Sequence, residues 1–251
     1  WRTPAQDELT ASLGVPADSQ GWPDWQGARL RLRSSGIELT ALLNRWGELD
    51  DLAGRVQVDL SVSDLLQPKL EGVVHVEALQ LALLDMQPGY RFDVGQIRFD
   101  GGSKGDLVGF SGTSTEGSGR LELGGTLNWP TTFSPELDLH LLLDDVPYRY
   151  ADIFDVDDID ADLTWKQWEG GGRLAGFLRL NDPVAQVQLV DLTTPVPPPP
   201  AVQNDLLEQT SLDLFIDIDD LQTYSEISDV VLDGGIRLYG TLSKPRLQGE
   251  L

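Results

Sequence analysis

Along most of this chain apolar and polar residues alternate one for one, the period of a β-strand with a single dry face. Val56, Val58, Leu60 and Val62 alternate with Arg55, Gln57, Asp59 and Ser61. Leu70, Gly72, Val74 and Val76 continue the pattern, followed by Leu79, Leu81 and Leu83. Leu121, Leu123 and Leu127 form another run, and Leu137, Leu139, Leu141 and Leu143 alternate with Asp138, His140 and Leu142. Leu174, Leu178 and Leu180 repeat it, as do Val187 and Leu189. Leu212, Leu214, Ile216 and Ile218 alternate with Asp213, Phe215, Asp217 and Asp219, and Ile236, Leu238, Leu242 and Leu247 close the series. Ten or more strands, each with one apolar side, predict a mainly β protein built as an antiparallel, meandering sheet.

The first 53 residues depart from this period. Ala5 to Leu13 reads as a short helix ended by Gly14 and Pro16, and Leu39 to Leu52 places Leu39, Leu42, Leu43, Trp46 and Leu49 at helical spacing. Between them Arg29 to Arg33 alternates, with Leu30 and Leu32 on one face and three arginines on the other. Residues 54–192 form the β body, in which Gly101 to Gly119 reads as a mobile Gly/Ser-rich stretch. Thr193 to Pro200, TTPVPPPP, has five prolines in eight residues and predicts an extended connector, either a linker or a cover along a sheet edge. Residues 201–251 form a final β unit, with helical turns predicted within Val202 to Gln209.

Length and charge narrow the function. A chain of 251 residues with 40% hydrophobic composition is long enough to bury a sizeable core. Forty-one acidic against eighteen basic side chains, a net charge of −23, argues against nucleic acid and against docking on an anionic membrane. The plainer meaning of that charge is solubility of a strand-rich surface. No run of about 18 apolar residues is present to span a bilayer, and the first residues lack the basic-then-apolar order of a signal peptide. Opening on Trp1 and closing in mid-pattern at Leu251, the sequence reads as a piece of a longer chain, with any targeting segment or anchor outside it. The absence of cysteine excludes disulfides and thiolate metal sites, and fits a periplasmic or extracellular setting as well as a cytosolic one.

Candidate chemistry is sparse. His75 in VVHVEA and His140 in LDLHLLL share faces with charged residues and read as solvent-facing strand positions rather than catalytic bases. No nucleophile elbow, zinc-helix or phosphate-loop motif occurs, so no catalytic residue, metal ligand or cofactor is expected. The acidic run Phe154 to Leu163 carries Asp155, Asp157, Asp158, Asp160 and Asp162. It fails as a calcium-binding helix–loop–helix, because the positions that need glycine and glutamate hold Asp160 and Lys166. Outward strand carboxylates explain it better, with the step between Asp157 and Asp158 marking a bulge or a change of strand. A less regular calcium site on a closed β-sandwich binding or adhesion module is the alternative reading. The stronger candidate site is the face itself. The inward Leu and Val positions form an aliphatic surface that is core in a closed sandwich and a groove in a sheet that curves without closing.

A repeated motif adds to this. The chain ends in GGIRLYGTLSKPRLQGEL, two short strands, Ile236 to Leu242 and Arg246 to Leu251, joined at Pro245. RLELGGTLNWP places Gly125, Thr126, Leu127 and Pro130 at the spacing of Gly240, Thr241, Leu242 and Pro245, and PKLEGVVHV echoes the end with Pro68, Leu70 and Gly72. This grammar resembles the C-terminal region of the TamB family, the translocation and assembly module proteins, and is shared by related AsmA-like, repeating-β-groove lipid-transfer proteins. GRLAGFLRLNDPVAQVQLVD (Gly172 to Asp191), DADLTW (Asp160 to Trp165) and the strand LDLFIDI are similar in order to that region. The likeness covers roughly residues 110 to 251, and the chain is more acidic than the family leads one to expect. The resemblance implies a long curved sheet, folded like a taco shell, with an apolar concave face and few short helices. It also implies a periplasmic protein anchored in the inner membrane. Its expected partners are phospholipid acyl chains or client β-strands, together with an outer-membrane barrel of the BamA/TamA type.

Overall fold

The computed structural model describes residues 9–24, 27–40, 49–64, 68–83, 86–129, 135–150, 154–186, 208–224 and 229–250. The proline tract 193–200, Val187, Leu189, Pro130 and the side chain of Leu83 lie outside them, as do residues 5–8 and 41–48 of the two expected helices.

The period-two runs become fifteen strands. They are β1 (Leu9–Gly14), β2 (Arg29–Glu38), β3 (Leu49–Ser63), β4 (Lys69–Leu83), β5 (Met86–Gln87), β6 (Tyr90–Gly102), β7 (Lys104–Ser114) and β8 (Arg120–Asn128). Then come β9 (Glu136–Tyr150), β10 (Phe154–Trp168), β11 (Gly171–Asn181), β12 (Val184–Gln186), β13 (Thr210–Tyr224), β14 (Asp229–Thr241) and β15 (Lys244–Glu250). All belong to one sheet in the order β1-β2-β3-β4-β6-β7-β8-β9-β10-β11-β13-β14-β15, with β12 between β10 and β13 and β5 on β9. Neighbours follow one another in sequence because short turns link antiparallel strands. The exception is β13, which runs parallel to β11 and β12. The expected all-antiparallel sheet is corrected there, since a parallel step needs a long connection and residues 187–209 are the one long interval in the second half.

Four local expectations also change. Leu9–Gly14, expected as the end of a helix, is the exposed edge strand β1, and Leu49 to Leu52, expected as helical, open β3. Tertiary pairing with β2 and β4 outweighs the helical spacing there. The Gly/Ser-rich stretch is largely strand: Lys104–Ser114 is β7, paired on both sides, and Thr115 to Gly119 form a turn. Pro245 lies inside β15 opposite Gly240 rather than at the joint, which falls at Leu242 and Ser243. An edge strand tolerates a residue that cannot donate to a ladder.

Two devices curve the sheet. The first is a file of β-bulges. Register slips between Ala53 and Arg55 on β3, Leu107 and Phe110 on β7, Val156 and Ile159 on β10, and Ile218 and Leu221 on β13. At a bulge two consecutive residues face the same way, so the apolar parity changes. Val76 is followed by Leu79, Leu143 by Val146, Val156 by Ile159, and Ile218 by Leu221. The intervening doublets Glu77-Ala78, Asp144-Asp145, Asp157-Asp158 and Asp219-Asp220 hold the extra residue. Ala78, Asp145 and Asp220 adopt positive φ. The Asp145 amide donates to Asp160 Oδ1 at 3.2 Å, and that of Asp220 to Asp233 Oδ1 at 2.7 Å, giving the displaced backbone a partner on the next strand.

The second device is the motif glycine. Gly125 has φ +144, and a Cβ there would sit 2.1 Å from the Asp138 carbonyl oxygen of β9. Gly72 and Gly176 repeat this against Asp59 and Asp162, which explains why the motif carries glycine where alternation asks for an apolar side chain.

The candidate hydrophobic trough

The curvature gathers the inward side chains into a trough. Leu79 and Leu81 of β4 and Leu178 and Leu180 of β11 line one cavity of about 580 Å³. Those strands stand six steps apart in the sheet; at the usual strand spacing a flat sheet would hold them about 29 Å apart. Tyr90, Phe92, Leu121, Leu123, Leu141, Leu143, Val146, Tyr148, Phe154 and Ile159 complete the wall. Two ties cross the bend. Met86 and Gln87 pair with Tyr150 and Arg149 of β9, four steps from β4 in the sheet order. The Tyr90 hydroxyl donates to the Pro147 carbonyl oxygen at 3.2 Å. Burial pushes the Tyr90 phenol up to about 12, with the neighbouring Tyr148 adding to it.

The expected inward residues fall into cross-strand rows. One row runs Leu123, Leu141, Leu163, Gly176, Leu214, Leu238 and Leu247 across β8 to β15. Its neighbour runs Leu121, Leu143, Ala161, Leu178, Ile216, Ile236 and Gly249. Leu127, Leu137, Leu139, Leu174 and Leu212 continue the same face toward the Trp168 end of the strands. On the first half, Val56, Val58 and Leu60 sit opposite Val76, Val74 and Gly72, and Leu70 opposite Val62. Of the expected positions, Leu79, Leu81, Leu121, Leu123, Leu141, Leu143, Leu178 and Leu180 line the cavity itself, while the others among the described residues extend the same face beyond it or lie at its margins. Leu242 lies in the turn after β14, and Leu247, on edge strand β15, is 69% exposed.

The dry centres are small. Phe92, Phe110, Leu121 and Val146 form one buried cluster and Val156, Ile159, Leu180 and Ile218 another, with Leu143 packed against both. Most other inward leucines are only half-buried, because among the described residues no second sheet or helix covers this face. The alternation pattern missed the aromatic wall: Tyr148 and Phe154 lie across bulges marked by acidic doublets, and Tyr90 and Phe92 lie on β6, whose alternation breaks at Asp93 and Val94.

The outer face is a polar ladder. Lys166 meets Asp138 at 2.9 Å, Arg173 and Arg237 bracket Asp213 at 2.9 and 2.8 Å, and Arg179 meets Asp217 at 3.3 Å. His75 is exposed, and His140 faces solvent with Asp162 at 2.7 Å. The hydrogen bond from Arg237 and its charge, with Arg173 behind, hold the Asp213 carboxyl below the usual carboxylate range.

The acidic run of β10 does not converge on one point. Asp155 pairs with Arg149 at 3.0 Å, Asp162 with His140, and Asp160 receives the Asp145 amide. Two carboxylate groups do gather, Asp144 with Asp145 and Asp160, and Asp219 with Asp220 and Asp233, both at bulges. Repulsion from Asp233 raises the Asp220 carboxyl, and burial, ahead of the neighbouring aspartates, raises that of Asp158.

Among the described residues no helix is long and apolar enough to cross a membrane. In comparisons with protein-family models, curated proteins and solved structures, the chain matches none of them.

Proposed function

We propose that this chain is a non-enzymatic carrier module whose apolar trough shelters phospholipid acyl chains in passage between two membranes. The observation that carries the reading is the uncovered apolar face, continuous from β4 to β14 and lined over about 580 Å³ by aliphatic and aromatic side chains. Each methylene moved from water onto such a face gains about 0.8 kcal/mol, so a single acyl chain supplies ample affinity without any specific polar contact. A single curved sheet favours an open trough over the closed sandwich of a binding or adhesion module. The likeness to TamB and the AsmA-like lipid-transfer proteins points the same way. On that likeness the module belongs to an inner-membrane-anchored protein of the periplasm, working with an outer-membrane barrel of the BamA/TamA type.

A second reading rests on a different observation. Both sheet edges, β1 and β15, are exposed along their whole length, and among the described residues their outer backbone groups have no strand partner. A client β-strand, such as one from an outer-membrane protein under assembly, could be held there by strand addition.

Native mass spectrometry of the purified chain tests the first reading. Co-purifying phospholipid is expected, and it should be lost from Leu141→Asp and Leu178→Asp while circular dichroism stays β. A lipid-free protein stabilised by calcium, or charged variants that keep their lipid, would refute the conduit.

A further inference from the structure

The arginine stripe of β2 has no part in the trough, because it faces outward. Arg29 lies between Gly14 of β1 and Ser63 of β3, and Ser63 pairs onward with Lys69 of β4. The next outward row holds Ser12, Arg31, Ser61 and Glu71. These two rows line a cavity of about 530 Å³ at the end of the sheet where β3 turns into β4. Arg29 and Lys69 stand two strands apart, about 10 Å at the usual spacing, so their long side chains can close on one group above Ser63.

Charge sets this cavity apart from the outer face of β9 to β14. The chain holds forty-one carboxylates against eighteen basic side chains, and on β9 to β14 the cations lie against aspartates. Arg31 and Arg33 share Asp59 at 3.5 and 3.3 Å. Arg29 and Lys69 have no ion pair among the described residues, and Glu71 is the one carboxylate on the cavity wall. Three cations, two of them unneutralised, are therefore kept together with three hydroxyls in a protein of net charge −23.

We propose that this outer cavity binds a phosphate group. A guanidinium presents paired donors to two phosphate oxygens, an ammonium adds a point charge, and serine hydroxyls reach the oxygens that remain. A planar carboxylate, with two oxygens, leaves several of these donors idle. The site lies on the face opposite the trough and does not depend on the lipid-carrier reading. The same chemistry fits a small free phosphate or the headgroup of an anionic phospholipid.

The test titrates the intact chain with inorganic phosphate, by calorimetry and 31P NMR, and in parallel with vesicles of phosphatidic acid in phosphatidylcholine. Saturable 1:1 binding of inorganic phosphate is expected, and Arg29→Gln with Lys69→Gln should weaken it at least about tenfold, the usual worth of one charged hydrogen bond. Lys244→Gln, which removes a cation on β15 away from the cavity, should leave it unchanged. Binding to the vesicles alone, lost in the same double variant, identifies the headgroup as the source. Failure of both probes, or binding that the double variant retains, overturns the proposal. The exposed substitutions are checked for folding by their thermal midpoints.

Discussion

Replacing Gly125 by alanine should unfold much of what a neighbouring Gly124→Ala change leaves intact. The two glycines are adjacent on β8, yet their surroundings differ. A Cβ at Gly124 has nothing within 4 Å, whereas one at Gly125 would lie 2.1 Å from the Asp138 carbonyl oxygen and 2.9 Å from the Leu139 Cα. Its φ of +144 is also a conformation that a side chain disfavours. Holding a non-glycine residue in such a region costs about 1–3 kcal/mol. Pushing β9 back from an ideal contact adds about 1–3 kcal/mol of overpacking, and a ladder hydrogen bond stretched in the process adds about 1 kcal/mol. The sum is about 3–7 kcal/mol, against a usual total of about 5–15 kcal/mol for a folded domain. In a chain of this size that corresponds to roughly 6–28 °C in Tm. Gly124→Ala should stay within about 1 kcal/mol of the parent, because it adds no clash and reduces the freedom of the unfolded chain. Urea unfolding followed by circular dichroism, with Tm from calorimetry, measures both. Equal losses in the two variants, or an unchanged Gly125→Ala protein, would show that the close approach of β8 and β9 is not what the motif glycine serves.

Other outcomes follow from the same geometry. Tyr90→Phe removes the donor to Pro147 and should cost about 1 kcal/mol at neutral pH. The raised Tyr90 pKa means that folding favours the neutral phenol, so this contribution is complete below pH ~10 and is lost as pH rises towards about 12. Alkaline unfolding curves of parent and variant should therefore converge at high pH, and parallel curves would contradict the buried tie. Asp213 behaves oppositely: its lowered pKa gives a contribution present above the ordinary carboxylate range and lost as pH falls through the folded value. Asp213→Asn should lower Tm at pH 7 and converge with the parent in acid. Asp219→Asn should raise Tm slightly at pH 7, because it relieves the part of the repulsion on Asp220 that adds to that of Asp233, and this gain should vanish once the carboxyls are protonated. A Tm that falls on that substitution would place the stabilising role in the acidic group itself.

The acidic run of β10 shows what could be read in advance and what could not. Its five aspartates hinted at a bulge between Asp157 and Asp158, and the bulge is there. Their partners were not legible, since Arg149, His140 and Asp145 reach them only through cross-strand register. The aliphatic half of the trough was legible for the converse reason. Leu137 to Leu143 and Leu212 to Ile218 place an aliphatic residue at every second position, and a strand with that pattern has one dry face wherever it is placed. Val146 and Tyr148 escaped because each lies past a doublet that shifts the parity by one residue, and Tyr90 and Phe92 because the alternation of β6 breaks at Asp93 and Val94 just after them.

The sequence by itself determined that the chain is β, which side of most strands is apolar, and where the backbone must kink, because period, turn residues and motif glycines are local properties. It could not determine whether the apolar face is closed by a second sheet or left open. That depends on the order in which fifteen strands pair, on the single parallel step at β13 and on the Met86–Gln87 tie to β9. Both outcomes bury one face of every strand and so require the same alternation. Only the long-range pairing, summed over bulges that bend each strand in the same file, decides that this sheet curls into a trough.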